Sequence, residues 1–172
     1  PPAVRKVRSI ANGTRPTQVG AGTSVTPATD AWGSWAEVFA AAAWPAEAND
    51  ACGILIRVTD AGLGSATRGV LVSIGVDTAG GSSYTPIVTS DDGSTESGLY
   101  CANGEANASA SGGAGFEWYF PLAIARGSSI AARAAVSGAV LDAMRVEVTL
   151  CYAPSGPVRV CRFIHAFGVD TA

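Results

Sequence analysis

The sequence predicts an all-β chain: an antiparallel β-sandwich, jelly-roll-like, with about eight short strands and an extended N-terminal arm. Apolar residues recur with a period of two in several separate stretches, as in strands with one buried face. Clusters of Gly, Pro, Asn, Asp and Ser punctuate the chain about every ten residues. No stretch carries the periodicity of a long amphipathic helix. About eight strands favour a jelly roll over an immunoglobulin-like sandwich. No tryptophan lies between a cysteine pair in the manner of the latter.

Residues 1–31 differ from the rest and are read as the arm; residues 32–172 are read as the sandwich. Val4, Arg5, Lys6, Val7 and Arg8 form a basic start, and Arg15 sits in a Gly-, Thr- and Pro-rich run. Such a segment buries too little apolar surface to order itself alone. Val4 to Arg8 and Arg15 are therefore candidate assembly residues, in a strap laid across a neighbouring subunit.

The sandwich opens with Trp35 to Ala42, where Trp35, Glu37 and Phe39 face one way and Ala36 and Val38 the other. Ala40 to Ala43 also reads as a helical turn, and Pro45 stops either. Gly53 to Thr59 alternates Ile54, Ile56 and Val58 with Leu55 and Arg57. Gly69 to Val76 is the cleanest signal, with Val70, Val72, Ile74 and Val76 in strict alternation. Tyr84 to Thr89 is a short strand weakened by Pro86. Ser90 to Gly115 is the least periodic region, with a brief strand around Leu99 to Ala102. Long segments of this kind in compact domains are usually functional or contact-forming loops.

Phe116 to Val136 reads as a central hairpin. Phe116, Trp118 and Phe120 form an aromatic face, Arg126-Gly127-Ser128-Ser129 the turn, and Ile130, Ala132, Ala134 and Val136 a smaller face opposite Ala131, Arg133 and Ala135. Met144 to Tyr152 alternates Val146, Val148 and Leu150 with Arg145, Glu147 and Thr149. Val158 to Phe167 is the last expected strand.

Of the 172 residues, 48% are hydrophobic, enough for a core, but only 15% are charged. That is below the usual quarter or so, and suggests surface buried against partners. The net charge of -3 argues against nucleic acid as a partner. No apolar run approaches the roughly 18 residues of a membrane span, and no charged leader precedes an apolar segment. Neither a membrane nor a Sec signal is expected.

Catalytic signals are weak. His165 is the sole histidine and reads as structural. Asp77 with Ser82 or Ser83 could be set beside it, but no Gly-x-Ser-x-Gly elbow is present. Glu117 and Glu147 lie on outward strand faces, where carboxylates are usually solvated; with Asp91 and Asp92 they exhaust the candidates for glycoside hydrolysis. Asp91-Asp92-Gly93 with Glu96 matches a calcium loop only loosely. The chain is read as non-enzymatic, with no cofactor and no metal.

The four cysteines, Cys52, Cys101, Cys151 and Cys161, form no C-x-x-C. Cys151 and Cys161 flank Ala153 to Pro157, so a hairpin near Gly156 would set them opposite as a candidate disulfide. The alternative is four free, buried thiols. Among the aromatic residues, Trp32, between Ala31 and Gly33, is the best candidate for an exposed anchor to a glycan or a neighbouring subunit.

A resemblance adds to these readings. Trp35-Ala36-Glu37-Val38, Leu71 to Val76 leading to Ala79-Gly80-Gly81-Ser82, Tyr119-Phe120-Pro121-Leu122 and Gly127 to Arg133 follow one another in the chain. Together they resemble a group of small β-sandwich virion proteins of tailed bacteriophages, over about Trp32 to Gly168. The resemblance implies a structural protein of the virion that decorates or clamps the capsid or neck. Its partners would be other virion subunits and copies of itself, a trimer by the habit of such proteins. The alternative is a tail- or fibre-associated module that binds a receptor or glycan. The resemblance transfers no catalytic residue. The 103–115 insert and the four cysteines lie outside its pattern.

Overall fold

The structure, a computed structural model, describes residues 8–11, 22–46, 48–59, 70–89, 96–101, 116–137 and 144–152. Two β-sheets pack face to face. The first holds β1 (Arg8–Ala11), β2 (Thr23–Val25), β5 (Ala51–Thr59), β9 (Phe116–Phe120) and β11 (Met144–Tyr152). The second holds β3 (Ala28–Thr29), β4 (Ala36–Phe39), β6 (Val70–Asp77), β7 (Thr85–Pro86), β8 (Leu99–Cys101) and β10 (Ser129–Val136).

Several short strands share one lateral position. β1 and β2 pair with opposite halves of β11. β3 and β4 pair with opposite halves of β10, and β7 and β8 with opposite halves of β6. Merging these pairs leaves four positions in each sheet: (β1, β2)-β11-β5-β9 and (β3, β4)-β10-β6-(β7, β8). Numbered along the chain, the positions run 1-8-3-6 and 2-7-4-5, so the chain repeatedly crosses from one sheet to the other. This is jelly-roll order.

The core follows from the alternation. Ile54, Ile56 and Val58 of β5 and Met144, Val146, Val148 and Leu150 of β11 point inward from the first sheet, all fully buried. Val70, Val72 and Ile74 of β6 meet them from the second, with Ile130, Ala132, Ala134 and Val136 of β10. Branched residues facing alanines give the size complementarity that lets two sheets interdigitate. Trp44 closes one end. It meets Phe39 edge-on at 5.8 Å, and its indole Nε1–H donates to the Ser128 carbonyl at 2.9 Å.

Three sequence expectations change here. Phe116 to Val136 is not a hairpin: β9 lies against β5 in one sheet, and β10 against β6 in the other. Eight residues, 121–128, cross between them. Pro121 cannot donate to a ladder and releases the chain from β9, and Ile124 pairs with Ala51 on the way. Gly127, at φ 85°, and the Ser128 N–H to Ala125 carbonyl bond then make the turn into β10. The inward and outward faces within each strand are as the period of two indicates.

Secondly, β4 breaks its alternation. A bulge opposite Ile130 and Ala131 pairs Glu37 with Ala131 and Phe39 with Ile130, and both Val38 and Phe39 are buried. The following residues, Ala41–Ala43, form a 3₁₀ turn. Thirdly, parts of the expected arm are strands of the chain's own sheets. Arg8 pairs with Tyr152, Ser24 pairs with Arg145, and Val25 is fully buried in the core. Val4, Arg5, Lys6, Val7, Arg15, Cys161, His165 and the expected strand Val158 to Phe167 lie outside the described residues.

Candidate functional site

β6 presents Leu71, Ser73 and Gly75 to the outside of the second sheet, opposite Ala135, Arg133 and Ala131 of β10. On its other side Leu71 pairs with Tyr100 of β8. Leu71 is 37% exposed and Tyr100 60%, the only large hydrophobic side chains that stand exposed among the described residues. Their adjacency is a consequence of register, since directly opposed strand residues share a face.

The segment between β3 and β4 folds over this face. Asp30 takes a left-handed turn at φ 50°, and its N–H donates to the Val136 carbonyl at 2.9 Å. The Gly33 N–H donates to Ala134, also at 2.9 Å. Trp32 is thereby laid on Gly98: a Cβ at that glycine would meet Trp32 Cη2 at 2.7 Å and Leu71 Cβ at 2.8 Å. Trp35 lies similarly over Gly75, 5.6 Å from the Tyr84 ring centroid.

Arg133 stands between the two tryptophans. Its guanidinium carbon lies 4.2 Å from the Trp35 ring centroid and 5.6 Å from that of Trp32. Its Nε donates to Glu96 Oε1 at 3.0 Å, and its Nη2 donates to Glu96 Oε2. A forked guanidinium matches a carboxylate with two parallel bonds and still stacks on rings. Pairing of Thr89 with Glu96 anchors the carboxylate's own backbone. The product is an open groove of about 740 Å³, lined by the apolar Trp32, Leu71 and Tyr100 and by the polar Asp30, Ser97 and Ser137.

Trp32 was the expected anchor, and the structure places it in this groove, half-buried rather than projecting. Leu71, Gly98, Tyr100 and the Glu96–Arg133 pair were not singled out by sequence reasoning. One signal was available: Leu71 is a large apolar residue out of phase with Val70, Val72 and Ile74. Glu96, considered as a calcium ligand, is instead the counter-ion of Arg133.

The other candidates among the described residues do not converge on the groove. Cys151 carries a free, buried thiol, as does Cys101, which overturns the expected bridge from Cys151 to Cys161. Cys151 is instead packed on β11 beside the start of β5, its carbonyl oxygen 3.2 Å from Cys52 Sγ. Burial pushes the Cys101 thiol up to about 12, where thiolate chemistry is suppressed. The Asp77 carboxylate accepts the N–H groups of Ser83 at 2.8 Å and Ala79 at 2.9 Å, which hold it below its usual range and give it a loop-ordering role rather than one beside a nucleophile.

Glu147 departs from the solvated state expected of it. It is 4% exposed on the outer face of the first sheet, beneath Gly22, and burial raises its carboxyl above the usual range. Arg57, paired opposite Glu147 and opposite Glu117, lowers it again and sits 3.1 Å from Glu117. The cluster is a row of charged side chains in register across three strands, with the Arg57–Glu117 ion pair at one end. Among the described residues no group of three or more metal-ligating side chains comes together.

No protein-family model, curated protein or solved structure matches the chain.

Proposed function

We propose that the protein is a non-enzymatic recognition module of a phage particle, a jelly-roll subunit whose second sheet turns the Trp32–Leu71–Tyr100 groove toward a binding partner. The observation that supports this reading best is the groove's construction. Its floor is held in place before any partner arrives by Arg133 stacked between Trp32 and Trp35 and forked onto Glu96. Its two exposed apolar side chains project from that floor. Rigid aromatic surface with a few polar groups at its edge is the usual make-up of a binding site, because little ordering entropy remains to be lost. The phage setting is supported by the resemblance of the strand segments alone.

The reading as a capsid or neck clamp stands second. The low charge content favours it. The arm favours it less than the sequence suggested, because the described strands of the arm are paired with the chain's own β11 and β10. A fluorescently labelled full chain applied to a panel of bacterial cells tests the first reading. Binding to some strains is expected, with loss on Tyr100→Ala at unchanged melting temperature. Binding that Tyr100→Ala leaves intact would contradict it.

A further inference from the structure

The chemistry of the groove narrows what it can hold, and this step rests on the recognition reading above. Two rings, Trp32 and Tyr100, and the Leu71 side chain give it an apolar floor. The polar residues Asp30, Ser97 and Ser137 also line it. An elongated ligand with apolar C–H faces and a periphery of hydroxyls matches both sets at once: the faces stack on the rings, and the hydroxyls bond the polar residues. That description fits a sugar ring.

Charge selects further. Among the described residues, the formally charged groups that line the groove are carboxylates, Asp30 and Glu96. The guanidinium beside them, Arg133, is forked onto Glu96 and lies over the Trp35 and Trp32 rings. Among the described residues that line the groove, no cation is presented to an anionic ligand. A lipid tail is disfavoured by the openness of the groove, since an alkyl chain gains most where water is excluded on all sides. The volume, about 740 Å³, lies within the roughly 300–1,000 Å³ of small-ligand sites.

We infer that the groove between Trp32, Leu71 and Tyr100 is a binding site for an uncharged oligosaccharide. No bond is made or broken in this step. Glu96 is the counter-ion of Arg133, and Asp30 is the other carboxylate that lines the groove.

The test uses the full chain on a printed array carrying uncharged, sialylated and sulfated oligosaccharides, followed by calorimetric titration of the strongest ligand. The expected result is retention of uncharged glycans and a loss of affinity of about tenfold or more on Tyr100→Ala. Tyr100 is exposed, so this variant should fold as the parent does. Ser137→Ala, a smaller change in the groove, should weaken binding several-fold and guards against a general effect of removing a ring. Preference for acidic glycans, or an affinity unchanged by both substitutions, would overturn the inference. A blank array would also overturn it. If labelled protein still bound cells in a Tyr100-dependent way, a blank array would leave the recognition reading standing with a partner other than sugar. If cell binding failed as well, both readings would fall.

Discussion

At Gly98 a single added methyl group would meet Trp32 Cη2 at 2.7 Å and the base of the Leu71 side chain at 2.8 Å. The second of these cannot swing aside. Gly98→Ala should therefore lift Trp32 from its seat and cost about 1–3 kcal/mol, read from the urea midpoint. Gly53 is an instructive contrast. Its added methyl would meet the far end of a side chain, the Tyr119 ring, rather than the base of one. Glu147 carries the clearest pH signature among the described residues. Its carboxyl is raised above the ordinary 4.5 chiefly by burial, and one of its oxygens lacks a hydrogen-bond partner. A raised carboxyl favours the folded state fully below the unfolded value, and that advantage is lost as pH rises through the folded value. Stability should therefore rise on acidification toward pH 4.5, and Glu147→Gln should flatten this rise while stabilising the neutral protein by about 1 kcal/mol. Thermal melts across pH for both proteins would show it, and an unchanged slope would contradict it. Trp32 was legible in the sequence because a tryptophan beside a glycine in a loop is conspicuous. The burial of Glu147 was not, because it comes from Gly22, distant in sequence, crossing above it.

Single elements were legible wherever one strand dictates its own alternation. Val70, Val72 and Ile74 face inward as the period of two requires, as do Ile130, Ala132, Ala134 and Val136. What joins the elements was less legible. Phe116 to Val136 has a turn at Arg126 and Gly127 and suitable strands on both sides, yet a turn fixes only a local reversal. Whether the next strand pairs with the last or crosses the core depends on partners elsewhere, here β5 and β6. The bulge in β4 is also a property of its pairing with β10. The same dependence makes Arg133 the residue that joins β10, the 30–35 segment and the Thr89–Glu96 bridge. Arg133→Ala should cost about 1–3 kcal/mol, since it removes two ring contacts and strands a half-buried carboxylate. Arg133→Lys should recover little of this, because an ammonium is a point charge that cannot fork onto a carboxylate while stacking on a ring. Urea unfolding of the two variants checks it; recovery by lysine would mean that charge alone matters.

At the scale of the molecule, the arm and the sandwich are less separate than composition suggests. A Gly-, Thr- and Pro-rich segment looks unable to order itself, but short pieces of it need only complete the edge of a strand that is already ordered. Removing residues 1–21 spares β2 and β3 and should leave a folded protein. Removing residues 1–28 also takes Val25 out of the core and uncovers more of β11, and should cost about 2 kcal/mol beyond the shorter truncation. Equal melting temperatures for the two truncations would show that these strands add nothing. The eight-position order of the sheets could be anticipated only as a strand count. The groove could be anticipated only through Trp32, because its other walls come from β6, β8 and β10, brought together by pairing. The most direct test of the recognition reading is where the protein sits. Immunogold electron microscopy on purified particles, with an antibody to the recombinant chain, should place label at the tail end or on fibre tips. Label on the head or neck, or on no particle with the epitope shown to be accessible, would contradict it.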